Sequence, residues 1–66
     1  MDAIDYEKEG YIKGASARIK VSNYEVVIVS NPKLDELDGD VKVWAAMGFD
    51  PYIRFLCNVK DLTLVK

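Results

Sequence analysis

The sequence predicts a mainly β protein, a small closed barrel of five strands. Short segments rich in β-branched and aromatic residues fill the chain from Gly10 onward, and turn-forming residues separate them. With 66 residues, the chain has the length of one domain, and half of its residues are hydrophobic. The predicted strands are 15–22, 24–31, 41–47, 52–59 and 62–66, and the residues that separate them include Gly14, Asn23, Pro32, Gly39, Gly48 and Pro51.

The first two segments differ in their hydrophobic pattern. Apolar and polar residues alternate over 15–22, which is typical of a strand with one buried face. A tight turn at Asn23 follows, since asparagine tolerates a positive φ. The segment 24–29 is apolar on both faces and rich in β-branched residues, so it is predicted to be a central strand covered on both sides.

The N-terminal residues 1–9 are acidic and are expected to form a partly ordered tail next to the barrel of residues 10–66. Ile4 and Tyr6 are the residues expected to attach this tail to the barrel. The alternative is one or two turns of helix capped by Asp2. A second helical turn is expected within residues 32–38, where Pro32 would begin it.

Residues 52–59 fit two secondary structures. As a strand, they would turn Ile53, Phe55, Cys57 and Val59 inward. As a helix, they would begin after Asp50, with Pro51 at the first helical position. The β-branched and aromatic composition favours the strand. A helix here would also leave only residues 62–66 to complete the sheet.

The orientation of Trp44 depends on the length of the turn before this strand. A four-residue turn, 48–51, places Trp44 opposite Phe55 in the core. A five-residue turn places it outside, next to Lys42, because a shift of one residue exchanges the two faces of a strand. Burial is favoured for a tryptophan in a small domain. An exposed Trp44 would be the best binding anchor of the chain.

The composition argues against an enzyme and against a cofactor or metal site. The chain has no histidine, which is the commonest general base and metal ligand, and its single cysteine, Cys57, cannot form an internal disulfide. No segment is apolar enough to span a membrane, and the N-terminus is acidic where a signal peptide is basic. A free cysteine suits a reducing compartment, so we expect a cytoplasmic protein without membrane association.

The order of the elements resembles that of SH3-like small barrels. The resemblance covers residues 10–66 and is carried by the opening strand, Gly14 to Val21, and by the closing segment, Val59 to Val65. It implies a five-stranded barrel that acts by binding. The chain lacks the aromatic pair and acidic cluster in an early loop with which the peptide-binding members hold proline-rich ligands. The resemblance therefore does not extend to proline-rich peptides.

The charges of the chain are segregated. Residues 1–9 and 33–40 each carry a net charge of −3, while the remainder carries +4. Cations beside aromatic rings on a barrel face suit single-stranded nucleic acid, whose binding would weaken steeply with salt. The acidic pI of 4.9 argues against nucleic-acid binding. This alternative nevertheless has its own set of candidate residues. These are Arg18, Lys20, Lys42, Arg54 and Tyr52.

We therefore expect a non-enzymatic module that binds a protein partner. The acidic segment 35–40 lacks the spacing of a calcium loop and is read as a surface for a basic partner. Phe49 lies in a turn, where its ring either folds over the end of the barrel or contacts a partner. By analogy of size and charge, the protein is expected to be of phage or plasmid type and to act on a host protein; self-association is a further option. The candidate residues are Phe49, Trp44, Asp35, Glu36, Asp38 and Asp40.

Overall fold

Six antiparallel strands form one curled sheet in the computed structural model, which describes residues 2–65. A short helix precedes them, and a single 3-10 turn (Val59–Asp61) comes before the last strand. The mainly β prediction is confirmed, with one more strand than expected. The elements are α1 (Ala3–Glu9), β1 (Ser16–Ile19), β2 (Glu25–Ile28), β3 (Lys33–Leu34), β4 (Val41–Met47), β5 (Asp50–Asn58) and β6 (Leu62–Leu64).

The sheet is a half-barrel and not a closed barrel. Its strands follow the order β6, β1, β2, β4 and β5, and the short β3 pairs with β4 beyond the end of β2. Within residues 2–65, β5 pairs only with β4, and β6 pairs only with β1. The expectation of closure is therefore not met, because the two outermost strands are not joined by a ladder of hydrogen bonds.

The core lies on the concave face of the sheet and consists of small and β-branched residues. β2 is central, as predicted, but only Val26 and Ile28 are buried, while Val27 points to the outer face. The expectation that both of its faces are covered is therefore wrong. The buried apolar residues that pack together are Ala17, Val26, Ile28, Val41, Val43, Ala45, Val59 and Leu62.

Helix α1 covers part of this concave face, so the acidic N-terminus adopts the helical alternative. The side chain of Asp2 accepts from the backbone of Asp5, and the side chain of Asp5 accepts from the backbone of Asp2, which is a capping box. Tyr6 packs against the core as expected, whereas Ile4 is exposed. The helix therefore has a defined start, and one of the two expected anchors holds it.

The long connection between β2 and β4 contains β3 and one hydrogen-bonded turn. The backbone N–H of Gly39 donates to the carbonyl of Asp35 over 2.8 Å, and the N–H of Asp35 donates to the carbonyl of Asp40 over 2.8 Å. The segment 35–40 therefore closes on itself as a compact acidic loop. The helical turn expected at 32–38 is replaced at its start by β3.

Residues 52–59 are strand, as the composition favoured, up to Asn58. β5 pairs with β4 so that Trp44 lies opposite Leu56 and Ala45 lies opposite Phe55. This is the register of the five-residue turn, although the pairing is irregular close to the turn. Met47 lies opposite Asp50 and Ala46 opposite Arg54, so residues 51–53 bulge out of the ladder.

Candidate protein-binding surface

Trp44 lies on the outer face of the sheet and not in the core. The β4–β5 register places Val43 and Ala45 inward, and both are buried, so the intervening Trp44 points outward. It is 49% exposed, and Leu56 beside it on β5 is 46% exposed. The core position favoured for Trp44 in the sequence analysis is therefore wrong, and the residue belongs to the surface.

A shallow groove borders this pair of side chains. It runs along the outer face between Trp44 and Leu56 on one side and the chain that leads into β3 on the other. The N–H of Trp44 donates to the hydroxyl of Ser30 over 2.8 Å, which holds this chain against β4. Leu34, Lys33 and Glu36 also line the groove, so its walls are apolar and its rim is charged.

Phe49 contributes a second exposed apolar cluster at the other end of the sheet. It lies in the turn between β4 and β5 and is 73% exposed. Its ring packs edge-to-face against Tyr24, with 6.4 Å between the ring centroids. The backbone N–H of Gly48 donates to the carbonyl of Glu25 over 2.9 Å, which attaches this turn to the start of β2. The ring of Phe49 therefore remains largely exposed and is not folded over the end of the barrel.

Two carboxylates of the acidic loop 35–40 are bound by one lysine of the sheet. The Nζ of Lys42 lies 2.9 Å from Asp35 Oδ2 and also binds the carboxylate of Asp38. These hydrogen bonds lower the pKa of both carboxyls and raise the pKa of Lys42. The folded state therefore favours the charged form of both carboxyls. Their contribution to the free energy of unfolding is present above pH 3.8 and is lost as the pH falls through their lowered pKa values.

Asp40, at the end of the loop, interacts with the end of β5 and with the 3-10 turn that follows it. Its carboxylate lies 3.4 Å from the Nζ of Lys60 and accepts from the side-chain amide of Asn58 over 3.4 Å. Among the loop carboxylates, Asp35, Asp38 and Asp40 therefore have partners within residues 2–65. Glu36 is exposed at the rim of the groove. Folding therefore sets two lysines, Lys42 and Lys60, against three of the four loop carboxylates.

The residues considered for nucleic acid are dispersed. Arg18 lies opposite Glu25 on β2, and Lys20 lies in the turn that follows β1. Arg54 is on β5, so β2 and β4 lie between it and Arg18 on the outer face. Lys42 is engaged by the acidic loop, and Tyr52 is exposed in the bulge. The fold therefore does not gather these cations into one continuous basic patch.

Cys57 lies on the concave side of β5 and is half-buried. Its sulfur is 3.8 Å from the carbonyl oxygen of Val43. Burial, and secondarily the charge of Asp61, raises the pKa of the Cys57 thiol to about 11. The thiol is therefore protonated at neutral pH and is a poor nucleophile.

Three exposed apolar residues that were not among the candidates lie beside them: Leu56 and Leu34 line the groove, and Tyr24 packs against Phe49. The segment containing Leu56 was read as a strand with Phe55 and Cys57 inward, and that alternation implies an outward Leu56. Leu34 and Tyr24 reach the surface through the pairing of β3 and the turn before β2, which no local pattern indicated. Within residues 2–65, no group of three or more potential ligand side chains is arranged to hold a metal ion.

Comparisons with known proteins add no relationship. No protein-family model, curated protein or solved structure matches the chain. The helical content that the structure describes is α1 and one 3-10 turn, and it includes no helix long and apolar enough to cross a membrane.

Proposed function

We propose that the chain is a non-enzymatic protein-binding module built on an SH3-like barrel. The order of its elements supports this assignment. The first four main strands, β1, β2, β4 and β5, lie side by side in chain order, and the last strand, β6, returns to pair with β1. A long connection lies between the second and third main strands, as in the resemblance. This connection and β4 together form the groove beside Trp44.

The exposure of Trp44 is the observation that carries the proposal. A half-exposed tryptophan beside an exposed leucine is costly to keep in water, and aromatic residues are enriched at the centres of protein interfaces. The neighbouring side chains of β5 and β3 give this position an apolar surround with a charged rim. The partner is therefore a protein that offers an apolar side chain to the groove.

The chemistry of the chain also favours binding over catalysis. The sequence lacks histidine, and its only thiol is held protonated. Most loop carboxylates already have basic partners, so the acidic loop contributes less to partner binding than its sequence suggests. By analogy of size and charge, we propose that it is a small protein of phage or plasmid type that acts on a host protein.

Trp44→Ala is the variant that tests this proposal. We expect the wild-type chain to capture a discrete protein from extract of the native host and Trp44→Ala to lose at least nine-tenths of it, because removal of a central aromatic anchor costs about 2 kcal/mol or more. Val21→Ala is the matched control, since Val21 is 91% exposed in the turn after β1, outside the groove. Equal capture by Trp44→Ala and wild type, with both chains folded, would refute the proposed surface.

Single-stranded nucleic acid is the alternative ligand, and the contacts of the fold give it less support. Lys42 is bound by two carboxylates, and Arg18 lies beside Glu25. A phosphate backbone would need to displace these partners or bind the remaining dispersed cations. We therefore place protein binding first.

A further inference from the structure

β5 presents a free edge of backbone donors and acceptors. The carbonyl of Trp44 accepts from Val29 and its N–H donates to Ser30, so the backbone of Trp44 points toward β2 and the chain after it. The backbone groups of Val43 and Ala45 then point toward β5, where they face Cys57 and Phe55. By alternation, the backbone groups of the three remaining residues of this regular stretch point away from the sheet. These are Arg54, Leu56 and Asn58.

The edge of β6 differs from that of β5. β6 has three residues, and the hydroxyl of Tyr11 donates to the carbonyl of Leu62 over 3.3 Å. Part of this edge is therefore occupied by the chain itself. β5 has nine residues, and side chains on both of its faces are incompletely buried. A long exposed strand edge with apolar side chains is the usual site for the addition of another strand.

We propose that β5 pairs with the β5 strand of a second copy of this chain, in an antiparallel two-fold dimer. Charge and polarity select the register. Pairing centred on Arg54 would place the two arginines opposite each other. Pairing centred on Phe55 would place each arginine opposite a leucine. Pairing centred on Leu56 opposes leucine to leucine and places Arg54 opposite the neutral Asn58 of the partner subunit. Of these registers, the one centred on Leu56 pairs leucine with leucine and leaves no arginine opposite another arginine or a leucine.

This register extends the apolar surface on the outer face. Trp44 lies opposite Leu56 within one chain, so the dimer aligns Trp44, Leu56 and the same two residues of the second copy in one row. On the concave side, each Phe55 lies opposite a Cys57 of the other copy. Both residues are only partly buried in the single chain and are covered further by this pairing. One contact thus covers exposed side chains on both faces of the strand.

The dimer shares Leu56 with the groove proposed above but rests on different groups. Edge pairing uses the backbone of β5, whereas the groove lies on the outer face beside Trp44. The dimer would present two grooves on one continuous sheet. Trp44→Ala tests partner capture and is expected to leave the pairing of β5 intact, so the two proposals can fail separately.

Light scattering of the wild-type chain is the first test, because it requires no substitution. We expect the mass to rise with concentration to twice the 7.5 kDa of the single chain. A mass that remains that of the single chain up to millimolar concentration would overturn the proposal. This result would leave the β5 edge to a strand of a different protein.

Engineered disulfides then test the register. In a Cys57→Ser background, Leu56→Cys places two thiols directly opposite each other, at a Cα separation of about 5.5 Å, which a disulfide spans. We expect a covalent dimer on mild oxidation. Arg54→Cys in the same background is the matched control, since its two thiols would be four residues apart along the strand, about 13 Å, beyond the reach of a disulfide.

A mixture of two variants provides the positive counterpart. Arg54→Cys mixed with Asn58→Cys, both in the Cys57→Ser background, is expected to form the mixed covalent dimer, because these positions are opposite each other in the proposed register. Circular dichroism establishes that each variant is folded. Equal cross-linking of Leu56→Cys and of Arg54→Cys with itself would refute the register, since the two cannot both be opposite their own copies.

Discussion

Single residues of this protein acquire their chemistry from the strand that carries them. Cys57 and Leu56 are neighbours in the sequence, yet one faces the concave side of β5 and the other faces solvent. Lys42 was a candidate for binding phosphate, but its position on β4 places it between two carboxylates. The alternation of strand faces, more than residue type, determines which of these side chains can meet a partner.

At this scale, we predict that the Cys57 thiol reacts slowly in the folded protein. Its pKa is about 11, against 9.0 for an ordinary thiol, so its thiolate fraction at pH 8 is about a hundredfold smaller. Alkylation by iodoacetamide at pH 8 should be slower by at least this factor in the folded chain than in the chain unfolded by urea. Equal rates in the two states would contradict the buried placement of Cys57.

The same shift gives stability a pH dependence with a defined sign. Because the pKa of Cys57 is higher in the folded state, folding favours the protonated thiol. This contribution to the free energy of unfolding is complete below pH 9.0 and is lost as the pH rises through about 11. The pKa of Tyr11 is also raised, chiefly by burial, so its effect has the same direction.

Among the elements, α1 depends most on local signals. Asp2 begins it, and Gly10 ends it with a φ of 110°, in the left-handed region. The N–H of Gly10 donates to Glu7, and the N–H of Tyr11 donates to Tyr6, which together form a Schellman motif. Tyr6 and Tyr11 pack edge-to-face across this motif, with centroids 5.7 Å apart. The helix is therefore short but closed at both ends.

We predict that Gly10→Ala destabilises the protein by about 1–2 kcal/mol. A residue with a Cβ is strained at this φ. The added Cβ would also lie 3.3 Å from Leu64 Cδ1. Gly10→Asn is the matched control and should cost less, because asparagine adopts the left-handed conformation more readily. Urea unfolding followed by circular dichroism measures both variants, and equal stability of Gly10→Ala and wild type would argue against the motif.

The whole molecule has a small core for the amount of apolar surface that it exposes. The packed cluster consists mainly of alanine, valine and other residues of modest size, with Ile28 and Leu62 as the largest fully buried side chains. A core of this size provides about 3–5 kcal/mol of net stability in a domain this short. Loss of a single large core side chain is therefore comparable to the total stability.

We predict that Leu62→Ala leaves much of the population unfolded at 25 °C. Leu62 is 1% exposed, begins β6 directly after the 3-10 turn and lies opposite Ile19 of β1. Its truncation should therefore cost about 2–5 kcal/mol. Leu37→Ala is the control, because Leu37 is 98% exposed in the acidic loop and should change stability little. Dispersion of the amide NMR spectrum reports both results, and a well-dispersed spectrum for Leu62→Ala would contradict this account of the core.

Much of the fold was predictable from local patterns in the sequence. Alternation over residues 15–22 located β1, and β-branched composition located β2, β4 and β5, although the observed strands β1 and β2 are shorter. The capping box and Gly10 were sufficient to indicate α1, but the sequence analysis preferred a partly ordered tail. β3 could not be predicted, since two residues carry no period and form a strand only through their pairing with β4.

The candidate surface depended on tertiary structure. Apart from Lys42, both faces of β4 carry apolar residues, so Trp44 could be assigned to either face. Only the bulge at 51–53 and the resulting register with β5 place it outside. The ion pairs of Lys42 likewise form because the loop 35–40 folds back onto the start of β4. The sequence by itself determined the strand content and the absence of histidine, because both depend on residue types. Only the tertiary structure decided which face each strand turns to solvent, because register is a property of two strands together.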